Sequence, residues 1–470
     1  HKYCKLTVTD SVSCLLVEAL LNTLHKLGLG DFYPNKLTFR SLLEINKESI
    51  DDKPVSSLRE VPQCFLRKLL KINADCRNSA QLPVSEGEND DPFDLNRDDE
   101  VNSDTKIHPL ELIVALFLCA DSLLQQQMAL KMSMCQISVP LLLPQGNKSQ
   151  SSLMLWALRD IVKEWCPSEL SESRGFVEES IVQANIPLFS FVRLKNCSMS
   201  KSQLLNQILS RGQQSQNIFM HRGMRGGSLK REISDGLVEV CWYLPCGRDN
   251  LDIFPEPVAF ANLRGDICQS HAQFNFLFQV SFATFVLLDK VEGNELKMLT
   301  SLRDVRSKLF FIVNCKDGGA KKEMKSVQEM FKILDLPKSR VKITNSRING
   351  AEFAKMLCAV IKTSLTSGTS TCNIENMQDK AAEFGLSVDE NRSDKQKKEA
   401  QKVLRGTGDQ IKKQELPLQG ENWKRLAKLE KEMCRLTAST DSGLEDYKFK
   451  YQEEVKKSKL SKKNIKSPQR

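Results

Sequence analysis

The sequence predicts an α/β protein in which one mostly parallel sheet carries helices on both faces and is flanked in the chain by helical N-terminal and C-terminal regions. Three observations predict it. From residue 186 onward, short runs rich in Val, Ile and Phe alternate with stretches of helical period, the pattern of parallel βαβ units. The runs 236–245 and 256–263 have a Pro/Gly/Asp-rich connection and no helix between them, which predicts one antiparallel pair at the sheet edge. The composition is 40% hydrophobic and 27% charged, so a chain of 470 residues can bury a sizeable core, at a soft prior of about three domains.

The first unit expected is helical, over 1–84. SVSCLLVEALLNTLHKLGL places Leu15, Leu16, Ala19, Leu20 and Leu24 on one face before Gly28 and Gly30 stop the helix. FYPNKLTFRSLLEI and VPQCFLRKLLKIN (61–73) follow with similar patterns. Residues 85–108 read as a disordered acidic linker, since 85–104 holds nine acidic residues against Arg97. A helical region over 109–180 leads into the sheet. Its helix 109–135 contains LIVALFLCA (112–120), too short for the ~20 residues of a membrane span and therefore a buried helix.

The α/β unit is expected over 181–368. Strands are expected at 186–194, 236–245, 256–263, 283–289, 308–314 and 341–345, and helices at 201–210, near 293–305, at 320–334 and at 348–365. Their order is that of a Ras-like G domain of the P-loop NTPase class. The remainder, 369–470, is a basic, partly disordered tail: residues 391–470 hold 22 Lys/Arg against 12 Asp/Glu, while the whole chain carries +9. Within it ENWKRLAKLEKEMCRL (421–436) sets Trp423, Leu426, Leu429, Met433 and Leu436 on a stripe that a coiled-coil partner or the protein body would cover.

Fifteen cysteines are scattered without a CxxC pair, which points to reduced thiols and a cytoplasmic or nuclear setting. The N-terminus has no apolar segment of signal-peptide length and does not start with Met, so the chain is expected to be a fragment. No membrane partner is expected, and a nucleic-acid partner is not favoured: KKSKLSKKNIKSPQR (456–470) has few aromatics for base stacking.

The chemistry expected of the unit is nucleotide binding. KNCSMSKS (195–202) follows a strand and opens a helix, where a phosphate loop ends in Lys for the phosphates and a hydroxyl for magnesium. Lys201 and Ser202 match those positions, and Ser198 and Ser200 line the loop. Lys195 and Ser200, however, stand where the pattern has glycines. NLRG (262–265) stands where DxxG would follow the next parallel strand, with Gly265 retained and Asn262, a weaker cation partner, in place of Asp. VNCKDG (313–318) offers Asn314 and Asp317 at the spacing of NKxD, in which the carboxylate selects guanine. TNSR (344–347) follows the last strand. Each fragment lies at the C-terminal end of an expected strand, where doubly wound sheets bind ligands.

Several long blocks, among them LHKLGLGDFYPNKLTFRSLLEIN, LLQQQMALKMSMCQISVPLLLP, ISDGLVEVCWYLPCG and DIFPEPVAFANLRGD, resemble the interferon-inducible very large GTPases and their shorter relative, the up-regulator of cell proliferation. The resemblance runs from about residue 20 to 365. It implies GTP with magnesium as ligand, protein partners including another G domain of the same family, and possible oligomers. It also implies that the family's intact phosphate loop lies further toward the C-terminus, and that Lys201, Ser202, Gly265, Asn314 and Asp317 alone keep G-domain identities here. Two readings stay open: a GTP-binding module with weak or absent hydrolysis, and a pseudo-GTPase scaffold.

Overall fold

The structure, a computed structural model, describes residues 8–33, 35–42, 55–80, 106–146, 150–170, 172, 175–195, 197–210, 217–248, 250–301, 308–315, 321–345, 348–367, 373–390, 421–435, 446–454 and 456. The expected linker up to residue 105, Asp317, Ser346, Arg347 and the basic end from 457 lie outside them. The chain divides into two compact units, His1–Glu390 and Asn391–Arg470.

The strands are β1 (Val139–Pro144), β2 (Ser151–Leu153), β3 (Val162–Trp165), β4 (Val177–Ser180), β5 (Leu188–Arg193), β6 (Val238–Tyr243), β7 (Val258–Leu263), β8 (Ala283–Leu288), β9 (Leu309–Cys315), β10 (Val341–Asn345) and β11 (Ser387–Val388). The helices are α1 (Val8–Lys26), α2 (Phe39–Leu42), α3 (Val61–Leu70), α4 (Pro109–Cys119), α5 (Ser122–Met134), α6 (Leu155–Leu158), α7 (Lys201–Leu209), α8 (His271–Val280), α9 (Gly293–Thr300), α10 (Lys321–Leu334), α11 (Gly350–Ser367), α12 (Met377–Glu383) and α13 (Glu421–Arg435).

Nine strands form one sheet in the order β10-β9-β8-β5-β7-β6-β1-β2-β11, with β3 and β4 as a separate antiparallel ribbon. From β10 to β7 every pairing is parallel, and β6 runs antiparallel to β7. The architecture is thus mixed α/β and consistent with a P-loop-like fold. Side chains alternate between two cores as period 2 requires. Phe189, Phe191, Phe260, Phe285, Phe310 and Ile312 face one way, toward α7 and α11, while Leu188, Val192, Leu263, Val286, Phe311 and Val313 face the other. Across three parallel strands Phe191 stacks on Phe285 at 4.7 Å between ring centroids, and Phe285 on Phe310 at 5.0 Å.

Three expectations need correction. The pair β6/β7 is antiparallel, but β6 is not an edge: β1 pairs with it antiparallel, β2 with β1, and β11 parallel to β2. The region 109–180 is not helical throughout: beyond Met134 it carries the four strands β1–β4, with the short helix α6 between β2 and β3. Before that point, the single helix over 109–135 is two, because Ala120 is extended and bridges Leu37 while the Asp121 side chain caps the next helix by accepting from Leu124 N at 2.7 Å. The expected tail from 369 also begins too early. Residues 373–390 belong to the first unit, where half-buried Asp389 accepts from the amides of Trp156 (2.7 Å) and Ala157 (3.0 Å) and Arg159 pairs with Glu390 at 2.8 Å. Helix α8 was not anticipated; its apolar run FNFLF is buried on several sides and shows no amphipathic period.

In the second unit α13 keeps Leu426, Leu429 and Met433 half-buried while its other described positions are mostly exposed, and Tyr451 Oη donates to Glu430 Oε1 at 2.7 Å. Among the described residues no helix is long and apolar enough to cross a membrane.

Phe285→Ala removes the middle ring of the stack at a fully buried position and should cost ~3–5 kcal/mol in chemical denaturation. Burial pushes the Asp389 carboxyl up to about 6 from an unfolded value of 3.8. Between those values the native chain holds a proton that the unfolded chain has lost, so this group's contribution to stability falls as pH rises through the window. Asp389→Asn should remove that slope from a stability–pH series.

Candidate functional site

The loop between β5 and α7 lies at the C-terminal end of the sheet, beside the ends of β7, β8 and β9. Ser200 is the N-cap of α7: its Oγ accepts from Gln203 N at 3.3 Å, and its φ of −84° is one that any residue adopts. The absent glycine at 200 therefore imposes no backbone strain.

The sequence-selected residues fall into two hydrogen-bonded groups. In the first, Ser198 donates from its N (3.1 Å) and Oγ (2.7 Å) to Asp289 Oδ2 at the end of β8, and Asn314 Nδ2 donates to Ser198 Oγ (2.9 Å) and Asp289 Oδ1 (3.1 Å). The neighbouring amide of Lys195 donates to Glu295 Oε1 at 3.0 Å. Two amides of the loop are thus held by carboxylates of the protein itself. Cys197, within the same loop, is a buried thiol that burial pushes up to about 12, so it stays protonated.

In the second group Lys201 is buried and its Nζ donates to the carbonyls of Leu263 and Gly265. Burial, and then the nearby Arg193, Arg264 and Arg231, pull its pKa well below the usual lysine value. Ser202 Oγ accepts from Arg264 Nη1 at 2.7 Å and from Asn262 Nδ2 at 3.1 Å. Arg264 in turn is ion-paired through Nε to Glu239 Oε2 on β6, and Ser138 Oγ donates to the other carboxylate oxygen at 2.7 Å. All three of Ser202, Glu239 and Arg264 are buried. Gly265 has φ +84°, a left-handed conformation for which glycine is suited.

These bonds test the fit of magnesium. The hydroxyl that would ligate it already receives a guanidinium, and the residue that would hold its water shell is the neutral Asn262. A divalent cation beside Arg264 would face a like charge in a low-dielectric interior. The residues present do not fit the ion. Among the described residues no cluster of three or more His, Cys, Asp or Glu is placed to hold another metal.

Two cavities flank Met199 and Ser200. One, of about 410 Å³, is lined by the second group and by the segment 220–235; the other, of about 630 Å³, is lined by Asn314, Cys315, Thr344, Asn345 and Phe353. Asn314, Thr344 and Asn345 thus meet at one cavity and Lys201 and Ser202 at the other. Sequence reasoning missed Arg264, Glu239, Asp289 and Glu295. Arg264 was in plain view inside NLRG, and Asp289 closes the strand ATFVLLD; Glu239 and Glu295 gave no signal, because only the sheet register and the start of α9 bring them to the loop.

The chain matches the model of the up-regulator of cell proliferation-like domain over residues 107–404, and that of the corresponding N-terminal domain over residues 20–98. It is 36% identical to the human up-regulator of cell proliferation over 447 residues, 90% of this chain and 48% of that protein. It is 30% identical to human interferon-induced very large GTPase 1 over 463 residues, 92% of this chain and 18% of that protein. Human caspase recruitment domain-containing protein 6 is 34% identical over 298 residues, 62% of this chain and 28% of that protein. The chain spans about half the length, or less, of these curated relatives. Two domain models matched in order, the larger over more than half the residues, make the chain a member of the up-regulator of cell proliferation-like family.

Proposed function

We propose that residues 181–368 form a degenerate G domain of Ras-like topology that hydrolyses no GTP and takes no magnesium, and that it serves in the cytosol or nucleus as an interaction platform for proteins, including other G domains of its family. The strand order β10-β9-β8-β5-β7-β6, with β6 alone reversed, supports the topology. So do the loop at the end of β5 and the bond from Asn314 to Ser198. A relative named as a GTPase supports the ancestry.

The observation that carries the reading is the Arg264 guanidinium on Ser202 Oγ, locked by Glu239. Hydrolysis needs stabilised charge on the transferring phosphoryl and an oriented water. Of the two glutamines near Gly265, Gln273 directs its Nε2 to Ser151 Oγ, away from the loop. A stricter reading, a scaffold with no nucleotide at all, draws on Glu295 and Asp289, whose carboxylates take the Lys195 and Ser198 amides.

Titration of the purified chain with a fluorescent GTP analogue, with and without magnesium, alongside phosphate release, tests it. We expect no gain from magnesium and no turnover above buffer. The triple variant Glu239→Gln, Asn262→Asp, Arg264→Ala removes the guanidinium and the Glu239 charge and places one buried carboxylate at 262 for magnesium to neutralise, and should make binding magnesium-dependent, tightening it at least tenfold. Magnesium-dependent phosphate release by the unaltered chain would overturn the proposal.

A further inference from the structure

The 410 Å³ cavity is strongly basic even though several of its cations have internal partners, Lys230 pairing with Glu232 at 3.0 Å and Arg193 Nε donating to the Gly265 carbonyl at 3.3 Å. Its volume lies within the ~300–1,000 Å³ of small-ligand sites. Six cationic side chains line it: Arg193, Lys201, Arg222, Lys230, Arg231 and Arg264. Asp235 is the one carboxylate among its lining residues, and it is paired with Arg231 at 3.0 Å. Cations this crowded depress one another: Arg193 is pulled below its usual pKa by burial first and then by Arg231, with Arg222 adding to the effect.

Independent of charge, the site has an unfilled bond. Arg264 is 7% exposed; its Nε and Nη1 are engaged by Glu239 and Ser202, but Nη2 is buried with no hydrogen-bond partner. A buried guanidinium N–H left unmade is costly and accounts for itself if a ligand oxygen completes it. The wall opposite is built, too. Gly227 lets the 221–227 turn close so tightly that a Cβ there would lie 2.0 Å from the His221 carbonyl oxygen, and the turn's two ends carry Arg222 and Lys230 to the cavity.

We infer that this cavity is a metal-independent site for a pyrophosphate group, whether free or carried by a nucleotide, with the Arg264 guanidinium supplying the positive charge that a metal ion would otherwise bring. The inference deepens the degenerate G-domain reading and rests on it for the identity of the loop. Guanidinium groups match phosphate oxygens through paired N–H donors, and two tetrahedral phosphates offer enough acceptors for donors arriving from β5, β7 and the 222–231 segment. Magnesium chelated by pyrophosphate would weaken this binding, since it withdraws anionic charge and brings a cation against Arg264.

Calorimetric titration and thermal shift of the whole chain with pyrophosphate, GDP and guanosine, each in EDTA and again in excess magnesium, test it. Pyrophosphate and GDP should bind in EDTA and raise the melting temperature, with weaker binding in magnesium and in higher salt. Arg222→Ala and Arg231→Ala, at exposed and half-buried positions, should each lower the affinity about tenfold while the unliganded melting temperature stays within a few degrees. GDP binding well above pyrophosphate assigns the ligand to a nucleotide whose base enters the neighbouring cavity; equal affinities assign free pyrophosphate. Binding that requires magnesium, binding of guanosine as tight as GDP, no binding in EDTA, or unchanged affinity in both arginine variants would overturn the inference. Turnover in magnesium would sink the functional reading, whereas silence toward pyrophosphate without turnover sinks this inference alone.

Discussion

The buried pair between Glu239 and Arg264 is the contact on which the site and much of the sheet depend. Glu239 lies on β6, Arg264 directly after β7, Ser202 in the first turn of α7, Asn262 on β7 and Ser138 just before β1. One carboxylate and one guanidinium thus tie four elements together where each is out of water. Breaking a buried pair by removing a single partner leaves an uncompensated charge, typically at ~3–5 kcal/mol, so neither residue can drift alone. The cation that a G domain would recruit from solution is here supplied by the chain, and it arrives with its counter-ion already attached.

The same pair sits at the seam between two halves of the sheet. Strand β6 would be the open edge of a six-stranded Ras-like sheet, with a row of unpaired backbone groups. Strands β1, β2 and β11 continue the sheet instead, and β11 (Ser387–Val388) comes from beyond α11, far along the chain from the strands it extends. Asp389 then caps the 155–158 turn from the far end of the same segment. The β6 edge is consumed internally, and among the described residues the sheet ends on β10 and β11 instead.

Strands β5, β7, β8 and β9 of the five-stranded parallel half were legible because burial on both faces demands near-continuous apolar runs, as in FSFV and FFIV, with Phe189 and Phe191 two apart toward one core. The antiparallel pair was legible from its short helix-free connection. The sheet extension was not: β2 is three residues long and β11 two, too short for any periodicity, and their pairing is fixed by tertiary contacts. At the site, sequence order placed Lys201, Ser202, Gly265 and Asn314 at neighbouring strand ends. It could not show that Arg264 turns inward, since a surface arginine and a buried one have the same letter and the deciding partner lies 25 residues upstream. Glycine counting misled in part, because Ser200 adopts a φ that needs no glycine.

A switching GTPase needs the segment between its phosphate-loop helix and the next strand to move with the nucleotide. Here that segment is held at 232–234 by the carboxylate of Glu111 on α4, which accepts from the amides of Glu232 (2.9 Å), Ile233 (2.9 Å) and Ser234 (2.8 Å). Glu111 is itself buried; burial pushes its pKa up while the hydrogen bonds oppose that shift. Releasing the segment would strand a carboxyl group in the core and leave three amides to find new acceptors. The buried carboxylate clamp therefore ties the 232–234 segment beside the basic cavity to α4.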